Sequence, residues 1–164
     1  MDNPLFKRIT PIRYKIGEAR YRATGFFYRY AGEDYLITNK HVVEHEHGVS
    51  PKSLRIFIEF KIEGEKENRP VKLELFDESG EPKWLLHPRN PDVDLTAVPV
   101  GMDLSQTETD YFDSRHHVPQ DTNLTIAGSD IVILGIPGVI GPGESDRPVM
   151  RSGIVSSSFG DPFG

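Results

Sequence analysis

With 164 residues, 37% of them hydrophobic, the chain has enough apolar material to bury a core as one ordinary domain or as two small barrels, which excludes a disordered polymer. Its 19 basic and 25 acidic residues give a formal charge of -6 and no basic stripe along the sequence suited to a phosphate backbone, so no nucleic-acid partner is expected. There is no cysteine and no long apolar stretch, and the chain starts Met1-Asp2-Asn3-Pro4; neither a disulfide framework nor a signal peptide nor a membrane span is expected, and the expected setting is cytoplasmic.

The 13 prolines and 15 glycines punctuate short runs rich in Val, Ile, Phe and Tyr, the pattern of an all-β protein with many turns. In chain order, Ala23-Thr24-Gly25-Phe26-Phe27-Tyr28 and the turn Ala31-Gly32-Glu33-Asp34 predict a hairpin that leads into a strand at Leu36-Ile37-Thr38. That strand ends in Asn39-Lys40 and presents His41, followed by a short helical turn. Leu54 to Ile62, Val71 to Phe76 and Asp94 to Val100 read as further strands, with Gly64 to Arg69 as a charged, solvated hairpin tip. A polar stretch over 101 to 122 has the composition of a linker, and the apolar pattern resumes at Leu124. Two last strands are expected within 128–138 and 152–157.

A histidine held at a strand end by a rigid scaffold is placed to act as a base. The Thr24-Gly25 pair followed by Leu36-Ile37-Thr38-Asn39-Lys40-His41-Val42 resembles the histidine segment of trypsin-like serine peptidases, especially the bacterial Deg-type, high-temperature-requirement branch. Asp94-Leu95-Thr96-Ala97-Val98 resembles the aspartate segment of that family, which implies Asp94, 53 residues after His41, as the carboxylate that fixes the histidine tautomer; Asp92 precedes the apolar run and is less well placed. Gly128 to Gly138 and Ser152-Gly153-Ile154-Val155-Ser156 resemble the family's later barrel strands.

The resemblance implies a trypsin-like double β-barrel with the first barrel complete and the second only begun. Residues 1–110 would be the N-terminal barrel carrying His41 and Asp94, and residues 111–164 the interbarrel linker and opening hairpin of the second barrel. It implies a serine endopeptidase that hydrolyses peptide bonds through a His-Asp-Ser triad, with a peptide or protein substrate and neither cofactor nor metal. The nucleophile turn of that family has no good counterpart up to Gly164, so the serine is expected beyond residue 164 and the chain alone is expected to be inactive. Sheet edges near 131–136 and 153–158 would then be left open and favour self-association.

Several rival readings compete with this one. Gly143-Glu144-Ser145-Asp146-Arg147-Pro148 superficially resembles the nucleophile turn, but Asp146 and Arg147 replace the glycines that permit close approach, and an acid beside Ser145 opposes an oxyanion. Ser156, Ser157 and Ser158 sit among neighbours that read as a strand end. His41, His45 and His47, with His116 and His117 elsewhere, allow a metal-binding β protein if residues 41–45 form a helical turn that puts His41 and His45 on one face. A trypsin-like barrel that serves only as a binding or regulatory module is a third possibility. Asn123-Leu124-Thr125 matches a glycosylation acceptor, read as a chance match in the absence of a secretory signal.

Overall fold

The computed structural model describes residues 4–45, 49–62, 64–116, 128–136 and 149–154. After a 3-10 turn at Pro4–Arg8, the strands β1 (Ile9–Ile16), β2 (Ala19–Tyr30) and β3 (Glu33–Thr38) form a meander, followed by a short helix α1 (Lys40–Val43). Strands β4 (Ser53–Ile62), β5 (Glu65–Glu74), β6 (Leu85–Leu86) and β7 (Thr96–Pro99) complete a seven-stranded antiparallel sheet in the order β5-β4-β1-β2-β3-β7-β6. The all-β class expected from the turn-rich sequence is what the chain adopts.

The β2–β3 turn sits where Ala31-Gly32 predicts it, with both residues at positive φ, 51° and 88°, the left-handed pair that matches the twist of a two-residue hairpin loop. Gly25 serves a different purpose. A Cβ at that position would lie 2.6 Å from Leu36 Cδ1, 2.9 Å from Ile12 Cδ1 and 3.1 Å from the Ile37 carbonyl oxygen, so any larger residue forces the two core side chains to shift.

Alternation along the strands sends one set of side chains inward: Thr10, Ile12 and Tyr14 from β1, Asp34, Leu36 and Thr38 from β3, and Leu54, Ile56 and Ile58 from β4 are all buried. The apolar ones among them join Phe27, Val42, Val43, Leu73, Leu75, Trp84, Val98 and Leu104 in one core cluster. The four-residue helix contributes only Val42 and Val43 to that core, and the strands and the segments between them supply the rest. The two outer strands lead into each other: Lys83 N donates to Leu75 O (2.9 Å), Asp77 N to Glu81 O (2.9 Å), and Phe76 bridges Pro82.

Two expectations need revision in detail. Residues 65 to 69 are not a loose tip but the start of β5, paired with β4 in unbroken register from Ile62↔Glu65 to Ser53↔Glu74. The backbone ladder continues beyond the core, and the charged side chains there are exposed on both faces, so composition alone resembles a loop. The polar stretch from residue 101 is also ordered against the sheet over its described part, 101–116. Arg29 N donates to Phe112 O (2.7 Å) and Phe112 N to Phe27 O (2.8 Å), laying that segment alongside β2. Arg29 adds a polar anchor, with Nε and Nη2 on the buried Asp34 carboxylate at 2.7 and 2.5 Å, Nη2 on Asp103 at 2.6 Å, and its guanidinium 4.1 Å from the centre of the Tyr111 ring. Asp34 Oδ2 also accepts from Leu104 N (2.7 Å).

Strands β8 (Asp130–Gly135) and β9 (Val149–Ile154) form a separate two-stranded antiparallel ribbon; β8 lies within the expected segment 128–138, whereas β9 begins three residues before the expected 152–157 and overlaps it only at 152–154. Thr24 ties the ribbon to β2, its hydroxyl accepting from Ile136 N (2.9 Å) and donating to Ile136 O (3.2 Å).

Candidate active site

The site is built where β3 and β7 end side by side. Thr38 pairs with Thr96 in the ladder, and the Thr38 hydroxyl donates to Thr24 O (3.0 Å), which fixes the last residue of β3. Asn39 then remains extended, with φ -69° and ψ 144°, and turns the chain into α1. Val42 and Val43 plug into the core at 1% and 0% exposure. With those two side chains committed inward, His41 on the opposite side of the short helix is left facing out, and its side chain is 60% exposed.

Asp94, two residues before β7, meets this turn with both carboxylate oxygens. Oδ1 accepts from the His41 backbone N–H at 3.0 Å, and Oδ2 lies 2.7 Å from His41 Nδ1. Asn39 Nδ2 donates to the same Oδ2 (3.0 Å) and to the Asp94 carbonyl (3.2 Å). One carboxylate therefore holds the ring, the backbone beneath the ring and the residue that begins the turn. These bonds, led by the His41 backbone N–H, keep the Asp94 carboxyl below the usual carboxylate range against the opposing effect of burial. An ionised Asp94 at Nδ1 selects the tautomer with the proton on Nδ1, leaving the Nε2 lone pair directed away from Asp94 and able to take a proton. Among the described residues no hydrogen bond engages Nε2.

The rear of the helix is braced. Lys40 Nζ donates to Pro91 O (3.0 Å), just upstream of Asp94, and lies 3.7 Å from Glu44 Oε2, while Glu44 Oε1 accepts from the buried Trp84 Nε1 (3.1 Å). Sequence reasoning quotes Asn39 only as part of a motif and misses the Glu44–Trp84 contact, whose partners are 40 residues apart with no local pattern linking them.

The structure brings His41 and Asp94 together and leaves Asp92 out, in a turn where its N–H donates to Asn90 Oδ1 (3.0 Å). It also corrects the premise of a zinc-binding helical face. The helix ends at Val43 with Glu44 as its C-cap, so His45 lies beyond it and packs against the Tyr21 ring, 5.1 Å between centroids. His116 belongs to another region, paired with Asp113 at 3.0 Å. Among the described residues no group of three or more His, Cys, Asp or Glu side chains is placed to hold a metal. His47, His117, Ser145, Ser156 to Ser158 and Asn123-Leu124-Thr125 lie outside the described residues.

In comparison with known proteins, no family model matches the chain and no curated protein matches it.

Proposed function

We propose that His41 and Asp94 are the base and the orienting carboxylate of a trypsin-like serine endopeptidase, set on the first barrel of a double-barrel fold. The observation that carries this reading is the two-point grip of one carboxylate on His41, at Nδ1 (2.7 Å) and at the backbone N–H (3.0 Å). Two further features support it. The pair lies at neighbouring strand ends, His41 after β3 and Asp94 before β7, and an exposed His41 side chain leaves room for a nucleophile and a substrate.

In the proposed reaction a serine outside the described residues is the nucleophile. His41 Nε2 takes the proton from its hydroxyl as the oxygen bonds to the peptide carbonyl carbon, and Asp94 stabilises the imidazolium that forms. The tetrahedral oxyanion is held by backbone N–H donors beside the serine. Collapse breaks the C–N bond, and His41 gives its proton to the leaving amine. Water then repeats the sequence on the acyl-enzyme, with His41 again the base.

A fluorophosphonate probe applied to the product of the complete natural reading frame tests this. Covalent labelling of one serine, abolished by His41→Ala and slowed on the order of 10³–10⁴-fold by Asp94→Asn, is the expected result. A folded product that ignores the probe overturns the peptidase reading and leaves a binding module on the same scaffold.

A further inference from the structure

We infer that the outer face of β2-β1-β4-β5 is a binding site for a run of phosphate groups. The basic stripe absent from the linear sequence is assembled by strand pairing. Arg22 of β2 stands opposite Arg13 of β1, Arg13 opposite Arg55 of β4, and Arg55 opposite Lys72 of β5, a row of four cations in direct register across four adjacent strands. One step along the same face, Lys15 stands opposite Arg20. These six residues and Lys52 border an open groove of about 1130 Å³ that is lined, among the described residues, by no Asp or Glu.

Like charges directly opposite each other weaken a sheet, and here three successive pairs carry that penalty in a chain whose net charge is -6. Lys72 also pairs with Glu74. Neighbouring strands lie ~4.8 Å apart, so the row spans roughly 14 Å with a cation at each step. Tetrahedral phosphate, with several oxygens, can bridge two neighbouring cations at that spacing. Same-face carboxylates of an extended peptide recur only every ~7 Å. Three of the four cations in the row are arginines, whose planar fork binds phosphate oxygens in pairs, and Arg13 is held in place with its guanidinium 5.2 Å from the centre of the Phe57 ring. The inference is independent of the peptidase reading, because the row uses neither His41 nor Asp94.

Titration calorimetry with inorganic tripolyphosphate, with a single-stranded oligonucleotide and with orthophosphate as control tests it. Tripolyphosphate or the oligonucleotide is expected to bind much more tightly than orthophosphate, with affinity falling steeply as salt rises. Binding of tripolyphosphate alone assigns a free polyphosphate ligand, and binding of the oligonucleotide with tripolyphosphate as competitor assigns a phosphodiester backbone. Arg55→Thr with Lys72→Thr, both on exposed strand positions, is expected to weaken binding at least about tenfold. The same double variant is expected to melt no lower than the parent, since it removes like-charge pairs. No binding of either probe, or binding unchanged in a double variant that retains its melting temperature, overturns the inference.

Discussion

At the scale of single residues the account rests on Asp94. Its carboxyl is held below the ordinary range, first by the His41 backbone N–H and then by the ring and Asn39, so the folded-state pKa lies beneath the unfolded one. The stabilisation it brings is therefore present above the unfolded carboxylate pKa, ~3.9, and is lost as pH falls through the lower folded value. Following the His41 backbone amide resonance with pH should show the Asp94 contact released at a lower pH than that at which an ordinary carboxylate titrates. Release at or above the ordinary carboxylate pKa would contradict the described bonding. Gly25→Ala makes a second residue-scale test. The added methyl meets two core side chains and a backbone oxygen, and chemical denaturation should report a loss of about 1–3 kcal/mol.

At the scale of elements, Arg29 and Asp34 tie the segment after β7 to the sheet. Arg29→Met leaves the Asp34 carboxylate, whose side chain is 1% exposed, without its counter-ion. The expected cost is about 3–5 kcal/mol by equilibrium unfolding, with faster amide exchange at Leu104 and Phe112, which bond to Asp34 and to β2. The same region marks the limit of what sequence reasoning reaches. The strand ending at Thr38, the Ala31-Gly32 turn, the strand from Asp94 onward and the pairing of His41 with Asp94 are legible because each is encoded within a few neighbouring residues or by a familiar motif. β1 is a missed element although Thr10, Ile12 and Tyr14 alternate inward, because Arg13 and Lys15 between them and the Gly17 turn give a short, charged pattern. The first half of β5 resembles a charged loop because nothing buries it, and only its partner strand determines its conformation. Docking of 103–112 depends on Arg29, some 74 residues from Asp103, and no local signal encodes such a distance.

At the scale of the whole molecule, two surfaces follow from topology. One is the cationic row, invisible in a net charge of -6 because its members come from four separate strands. The other is the β8–β9 ribbon, which among the described residues pairs only within itself and exposes Val132 and Ile133 at 55% and Ile154 at 65%. Exposed apolar side chains on a two-stranded ribbon with open edges favour pairing with a second copy. Light scattering should therefore report association that grows with concentration and that Val132→Lys suppresses. A monodisperse monomer at all concentrations would contradict it.

The central claim is that Asp94 sets His41 as a base with a free acceptor at Nε2, and ¹⁵N NMR of the imidazole ring tests it most directly. The account predicts a neutral ring protonated at Nδ1, a tautomer preference that is lost in Asp94→Asn. A neutral ring protonated at Nε2, or one averaging between tautomers and indifferent to Asp94→Asn, would contradict it.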